Sequence, residues 1–121
     1  MAESHNLGQK GENAAVEYLK NSGYRILNRN WKAGKLELDI VAENKDFVVF
    51  IEVKTRSEDF LMHPETAINR EKQRSMIYAA DNYIQRNNIT KESRFDIITI
   101  IKKGESFEIK HTEDAFYPTL R

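Results

Sequence analysis

Two carboxylate residues, Asp39 and Glu52, are spaced so that they could act together on one metal ion or one reacting group. They lie in two apolar runs, 36–42 and 47–53, which are separated by the polar segment 44–46. Two such runs around a short polar turn predict a β-hairpin. If the turn is symmetric, Asp39 lies directly opposite Glu52.

The same register sets a second charged pair, Glu37 and Lys54, opposite each other. Directly opposed residues of an antiparallel pair have Cβ atoms about 4.5 to 5.5 Å apart, and like charges there are destabilising. A hard divalent cation would offset the repulsion between Asp39 and Glu52, because Mg²⁺ is commonly held by one or two carboxylates with waters and substrate phosphate. Lys54 would add a fixed positive charge. The four side chains therefore predict metal-assisted phosphodiester hydrolysis.

The run 47–56 indicates a central strand whose charged end lies at the rim of a sheet. One of its two alternating sets is apolar as far as Val53, and the other is apolar until Glu52, Lys54 and Arg56. Near-continuous apolar runs are typical of strands buried on both faces. The alternative is that these charges are only the solvated face of a strand leaving the core, with any Glu37–Lys54 contact a modest ion pair.

Together these residues resemble a known signature. Asp39 followed by Glu52-Val53-Lys54 is similar to the PD-(D/E)xK motif of restriction-endonuclease-like nucleases. The match runs from about residue 7 to 116. It includes GQKGE (8–12), YRIL (24–27), RNW (29–31), ELDIVA (37–42), VFIEVKTR (49–56), RFDI (94–97) and AF (115–116). The chain closely resembles the bacterial YraN-like family of predicted endonucleases, which is similar in layout to archaeal Holliday-junction resolvases.

The resemblance implies a restriction-endonuclease-like α/β fold and an endonuclease that depends on Mg²⁺ or Mn²⁺. It implies that Asp39 and Glu52 bind the metal, and that Lys54 and Glu12 are catalytic. Glu37 is either an auxiliary residue of the site or only the counter-ion of Lys54. Nucleic acid is the expected partner, DNA in preference to RNA, and a homodimer is left open.

Glu12 can also be interpreted from the helix predicted over 7–21. It lies within about 40° of Val16 and Leu19 around the helix, at the edge of the inward face. Glutamate is rarely buried without a partner. The alternative is an acid near the helix start that interacts favourably with the macrodipole. The resemblance favours the site.

Five residues are predicted to contact nucleic acid: Arg56, Arg70, Lys72, Gln73 and Arg74. The segment 70–94 holds six basic residues against three acidic ones, a surplus that could face phosphates. In many enzymes of the fold that the chain resembles, the second helix places a basic or amide side chain near the scissile phosphate. The alternative is an ordinary charge-mixed, solvated helix.

Composition sets further limits. The chain has 121 residues, 40% of them hydrophobic, which fits a single domain over 1–121 with its core at about 7–116. The absence of cysteine excludes disulfides and thiolate zinc sites, and the polar start 1–5 has no apolar signal region, so the cytoplasm is expected. No stretch is long enough to span a membrane. The formal charge of zero argues against a protein that simply coats nucleic acid.

The order of elements follows from periodicity. A helix over 7–21, a strand over 24–31, the hairpin, a helix from Pro64 to about Arg86, a strand over 95–101 and a short strand near 107–110 are predicted. This α-β-β-β-α-β order predicts a mixed sheet flanked by helices. The three histidines, His5, His63 and His111, are expected to be structural or solvent-facing.

Two other functions stay open. The chain could be a non-catalytic nucleic-acid-binding module of the same fold, or an interaction protein whose acidic cluster is a buried polar network. Metal dependence separates these alternatives from the nuclease.

Overall fold

A computed structural model gives the fold over residues 2–57 and 68–118, with side chains described from Leu7 onward. Within these ranges, two helices and five strands follow one another. They are α1 (Ala2–Asn21), β1 (Arg25–Ala33), β2 (Leu36–Glu43), β3 (Phe47–Arg56), α2 (Arg70–Arg86), β4 (Glu92–Lys103) and β5 (Ser106–Phe116). No helix in these ranges is both long and apolar enough to cross a bilayer.

The strands form one mixed sheet in the order β1-β2-β3-β4-β5. Only β3 and β4 are parallel; the other neighbours are antiparallel. A parallel pair needs a crossover connection, and α2 lies in it. The predicted fold class, a mixed sheet flanked by helices, is confirmed.

The two faces of the sheet hold separate apolar clusters, because side chains alternate along the central strands. In β3, Val49 and Ile51 belong to the cluster with Ala15, Val16 and Leu19 of α1. The intervening residues Val48 and Phe50 belong to the cluster of α2, with Met76, Ala79, Ala80 and Tyr83. Trp31 packs edge-on against Tyr83 at 5.2 Å between ring centroids. Burial on both faces makes β3 a rigid support for whatever its end carries.

The hairpin register is the predicted one where β2 and β3 pair, from Glu43–Val48 to Ile40–Ile51. This ladder ends one residue short of Asp39 and Glu52. The predicted pairing of Glu37 with Lys54 is wrong, because the ladder between β2 and β3 has ended before these residues, and Glu37 pairs only on the other side of β2, with Lys32 of β1. The strands part at the point where the charged residues begin.

Several element bounds differ from the predictions; β4, for example, spans Glu92–Lys103 rather than 95–101. Helix α1 begins at Ala2 rather than at residue 7. Helix α2 begins at Arg70, because the side chain of Asn69 caps it by accepting a hydrogen bond from the Lys72 amide at 2.8 Å. The predicted start, Pro64, lies outside the described residues. Strand β5 is much longer than the short strand predicted.

Candidate active site

A cavity of about 430 Å³ lies between the middle of α1, the middle of β1 and β2, and the end of β3. Four elements contribute to its lining: Gly8, Gln9 and Glu12 from α1, Asn30 from β1, Asp39 from β2, and Val53 and Thr55 from β3. The sequence predicted that Glu12 and Asp39 would share a site, and the fold brings both to one cavity.

Asp39 lies where β1 and β2 change their facing pattern. In β2, Leu38 packs with the cluster of α2, yet Ile40, two residues later, packs with the cluster of α1. Regular strands keep such residues on one face. Beside this point, Asn30 of β1 has a φ of 51°, a left-handed conformation that Asn adopts more readily than most residues. The irregularity places Asp39 at the gap between β2 and β3.

The carboxylate of Asp39 fills this gap. Its Oδ2 accepts a hydrogen bond from the backbone N–H of Val53 at 2.8 Å. That amide lies two residues beyond the last residue of β3 in the ladder with β2, and without the side chain it would lack this acceptor. The contact fixes the Asp39 carboxylate against the backbone of β3 beside Glu52.

Glu52 meets Asp39 directly, since the two carboxyl groups share a hydrogen bond. The only ion pair shown for the Glu52 side chain, within the described ranges, is with Lys72 of α2, whose Nζ is 3.6 Å from Oε1. The side chain of Glu52 is 18% exposed and that of Lys72 is 39% exposed. Lys72 is thus a half-exposed cation beside the acidic pair.

Burial and mutual repulsion perturb both acids. Burial, with the negative charge and hydrogen bond of Asp39, raises the pKa of Glu52 to about 7, although Lys72 opposes the change. Burial also raises the pKa of Asp39, against the opposing effects of the Val53 amide and Lys72. The charges of Glu12 and Glu37 add to this increase. Near neutral pH the pair holds excess negative charge that a cation would relieve.

Glu12 is held toward the cavity by β1. Its Oε1 accepts hydrogen bonds from Arg29 Nη2 at 3.1 Å and Asn30 Nδ2 at 3.3 Å. The neighbouring Gly11 lets α1 approach β3 closely, because a Cβ there would overlap Thr55 Oγ1. The Gly11–Glu12 pair therefore combines a close helix–strand contact with a carboxylate at the cavity wall.

The remaining predicted residues are placed at several distances from this pair. Lys54 is partly buried and lies two residues beyond Glu52 on the same face of β3. Arg56 donates to the carbonyl of Thr55 at 3.0 Å. Glu37 is exposed, and its charge acts on Asp39. The roles of these residues stay predictions.

Of the predicted residues on α2, only Lys72 contacts the acidic pair. Arg70, Gln73 and Arg74 line a different groove, between α2 and the end of β5. The side-chain amide of Gln73 donates to the carbonyl of Ile68 at 3.0 Å. Lys72 and its two arginine neighbours therefore serve different surfaces.

The donor set fits a hard cation. In the part of the chain with described side chains, no group of three or more His, Cys, Asp or Glu residues gathers in a metal-binding arrangement. Asp39 and Glu52 supply carboxylate oxygens, and Mg²⁺ typically takes one or two carboxylates and completes its shell with waters and phosphate. Metals that prefer thiolate or imidazole ligands would not find those ligands in the pair Asp39 and Glu52.

Two contributors to the site were not predicted. Asn30 lines the cavity and donates to Glu12, and Gln9 lines the opposite wall. An Asn inside a weakly alternating strand is the one available signal for the first, because Asn tolerates positive φ. Gln9 belongs to the GQKGE motif at 8–12, but that motif did not by itself assign it a role in the site.

Comparison with known proteins identifies the family. Residues 11–100 match the model of the uncharacterised protein family UPF0102. A UPF0102 protein of Parabacteroides distasonis is 47% identical over 121 residues, covering 100% of both chains. One of Bacteroides thetaiotaomicron is 48% identical over 120 residues, covering 99% of both. One of Flavobacterium psychrophilum is 41% identical over 117 residues, covering 97% of this chain and 98% of the relative. The chain therefore belongs to the uncharacterised protein family UPF0102.

Proposed function

We propose that this protein is a metal-dependent endonuclease that hydrolyses phosphodiester bonds in nucleic acid. The observation that carries the proposal is the pair Asp39 and Glu52, two hydrogen-bonded carboxyl groups with raised pKa values beside a cavity. Clustered acids whose pKa values are displaced by burial and by each other are typical of functional sites. The resemblance to PD-(D/E)xK nucleases supports the same assignment.

Asp39 and Glu52 would hold Mg²⁺ or Mn²⁺, with the carbonyl of Val53 as a further ligand. When bound, such a cation supplies Lewis acidity toward a phosphoryl oxygen and toward the attacking water. The chain itself provides rigidity, because the Asp39 carboxylate is hydrogen-bonded to the amide of Val53. Ligands fixed before the substrate arrives need no reorganisation during the reaction.

Two lysines can act on the phosphate. Lys54 follows Glu52 on the same face of β3, and Lys72 reaches Glu52 from α2. Lys54 would orient the attacking water and stabilise the charge that develops on the phosphoryl oxygens. Glu12, oriented by Arg29 and Asn30, would position groups at the other side of the cavity. DNA is the favoured substrate, as in the resolvases whose layout the chain resembles.

The test is cleavage of a panel of end-labelled DNA and RNA structures with Mn²⁺ and with EDTA. We expect cleavage only with metal, and a loss of about 10³-fold or more in Asp39→Asn and Glu52→Gln, because interactions of the transition state are removed. Affinity should stay within about tenfold of wild type. Glu17→Gln, the same change at an exposed position on α1, is the matched control and should cleave normally.

Equal rates for wild type and Glu52→Gln on every substrate would contradict the proposal. Tight binding that needs no metal and leads to no cleavage would instead assign the protein as a nucleic-acid-binding module.

A further inference from the structure

A groove separate from the active-site cavity lies on the other side of α2 from Lys72, between α2 and the end of β5. It encloses about 620 Å³, within the range of about 300–1,000 Å³ for ligand pockets. Arg70, Arg74 and Tyr78 line one wall, and Phe116 and Tyr117 line the other. The active-site cavity shares none of these residues, so the groove needs its own explanation.

The aromatic residues of the groove are unusually exposed. Tyr78 is 57% exposed and Tyr117 is 62% exposed, and they are the two exposed large hydrophobic residues of the described ranges. Both line this groove. Folding has left them uncovered, whereas Phe116 beside them is only 7% exposed. Two open rings above an apolar floor make a platform on which flat groups can stack.

The cations are arranged along the same wall. Residues 70, 74 and 78 are four apart, so they form one stripe along the helix surface. Arg70 and Arg74 therefore precede Tyr78 in a line that begins in the first turn of α2. Asp81, one turn further, places a negative charge at the far end of the groove. The positive end of the groove is thus the end nearer to Lys72, which contacts Glu52.

We propose that this groove binds the unpaired nucleotides of a single-stranded segment next to the scissile bond. Bases stack on Tyr78 and Tyr117, while Arg70 and Arg74 contact the backbone phosphates. Aromatic platforms combined with a positively charged track are the general means by which proteins bind single strands. An unpaired strand is the preferred occupant, because only bases freed from their partners can each stack on a side chain.

This inference rests on the proposed function for its place in catalysis and makes it more specific. The site would prefer junctions between duplex and single strand over continuous duplex, because α2 separates the two surfaces at its first turn. The duplex side would meet the acidic pair, and the unpaired strand would pass around the start of α2 into the groove.

The experiment measures binding and cleavage separately on the intact chain. Fluorescence anisotropy in EDTA reports the affinity for a labelled single-stranded oligodeoxynucleotide of about 12 nucleotides, similar to the site sizes of other single-strand binders. We expect Tyr78→Ala and Tyr117→Ala each to weaken binding by about 5- to 150-fold, the range for loss of one base–aromatic stack. Tyr78→Phe, which keeps the ring, should bind within about twofold of wild type.

Charge is tested with a matched pair of variants. Arg74→Ala should weaken binding and flatten the slope of log affinity against log salt by about 0.7, the value for one phosphate contact on a single strand. Lys20→Ala, which removes one exposed charge at the end of α1, should leave the slope unchanged. With Mn²⁺, a duplex carrying a single-stranded tail should be cleaved faster than a blunt duplex, and Tyr78→Ala should abolish that preference.

Failure of this inference is distinguishable from failure of the proposed function. Tyrosine-dependent binding without cleavage of any substrate would support the groove and remove the nuclease. Metal-dependent cleavage that is unchanged by Tyr78→Ala and Tyr117→Ala, and equally fast with and without the tail, would support the nuclease and overturn the role of the groove. Self-association in sedimentation that Tyr117→Ala abolishes, with oligonucleotide affinity unchanged, would assign the groove to a second copy of the chain and overturn the proposal.

Discussion

Buried carboxyl groups occur at two places in the sheet, at Asp96 and at the pair Asp39 and Glu52. Their surroundings shift their pKa values in opposite directions. Asp96 of β4 is fully buried and accepts four hydrogen bonds. Two come from Arg94, from Nε at 3.0 Å and Nη2 at 2.8 Å, and one comes from the amide of Asp114 at 3.0 Å. The fourth partner is His111, whose Nε2 is 2.7 Å away. The expectation that His111 is structural is confirmed.

The acidic pair of Asp39 and Glu52 has far less support. Its described partners are the Val53 amide and the half-exposed Lys72. Burial would raise the pKa of Asp96 as well, but the hydrogen bonds from His111, Arg94 and the amide of Asp114 outweigh it and hold the pKa below its usual value. At Glu52 the balance has the other sign.

This difference in pKa shift indicates that Asp96 is structural, whereas Asp39 and Glu52 can bind a cation. The lone pairs of Asp96 are used by the protein, so nothing external can gain by binding there. The pKa values of both carboxyl groups of the pair are raised, so their negative charge costs stability in the absence of a cation. Proteins keep such a cost mainly where it serves function. Four predictions test this comparison.

The largest effect on stability is expected at Asp96. Asp96→Asn should lower the free energy of unfolding by about 3–5 kcal/mol, because Arg94 is left buried without its counter-charge. Urea denaturation at pH 7 measures it. Glu113→Gln is a matched control, since Glu113 is 59% exposed and 3.9 Å from Arg94, and it should cost less than about 1 kcal/mol. Equal costs for the two variants would remove the structural role given to Asp96.

Neutralising Glu52 of the acidic pair should stabilise the protein, whereas neutralising Asp96 should destabilise it. In EDTA at pH 7, Glu52→Gln should raise the free energy of unfolding by about 2 kcal/mol, because it removes a charge that burial and Asp39 both oppose. Wild type should instead gain about 2.7 kcal/mol from Mn²⁺ at a hundredfold excess over the dissociation constant. A less stable Glu52→Gln, together with no metal-induced shift in wild type, would leave only the interaction-protein alternative.

Glu52 and Asp96 should change the stability of the protein in different ranges of pH. Because the folded-state pKa of Glu52 is raised from 4.5 to about 7, the folded protein binds more protons than the unfolded chain in that interval. Stability in EDTA should therefore fall as pH rises from 4.5 to 7, by up to about 1.4 kcal/mol per pH unit. Asp96, whose pKa is lowered from 3.8, contributes stability that is lost at more acidic pH.

Unfolding midpoints measured from pH 3 to 8 test this. Glu52→Gln should reduce the decline above pH 4.5, leaving the part that the raised pKa of Asp39 contributes, and should keep the acid-side loss. A wild-type profile that rises through the whole interval would contradict the raised pKa of Glu52.

The sequence could predict the sheet and the carboxyl pair because both depend on local pattern. The continuous apolar run of β3 and the polar turn before it determine the hairpin register, which the structure reproduces up to Ile40–Ile51. The pairing of Glu37 with Lys54 was wrong because it assumes regular strands, and β2 leaves β3 at Asp39. A break of this kind depends on Asn30 in the neighbouring strand, which the hairpin alone does not contain.

Contacts between residues that are far apart in the sequence could not be predicted. Strand β5 was predicted too short because His111 interrupts its apolar alternation. The ring is buried nonetheless, held by Asp96 and by the hydroxyl of Tyr18. Similarly, Lys72 looked like one more charge on a mixed helix, and only the packing of α2 over the sheet brings it to Glu52. Such contacts join residues far apart in sequence, and local periodicity carries no information about them.

The smallest effect concerns the two cations. Lys72 is half-exposed and 3.6 Å from Glu52, whereas Arg94 is buried against Asp96. Lys72→Met should lower the free energy of unfolding at pH 7 by less than about 1 kcal/mol, as is usual for exposed ion pairs. Arg94→Met should cost about 3–5 kcal/mol, because it strands a buried carboxylate.

The cost of Lys72→Met should also depend on the charge of its partner. At pH 5, where Glu52 with a pKa of about 7 is protonated, the substitution should cost less than at pH 7, and in the Glu52→Gln background only the attraction between Lys72 and Asp39 should remain. Urea denaturation of the four proteins of this double-mutant cycle at pH 5 and 7 measures both effects. A Lys72→Met cost as large as that of Arg94→Met, and independent of pH, would mean that the acidic pair is a structural ion network like that of Asp96. The contrast from which a binding site was inferred would then disappear.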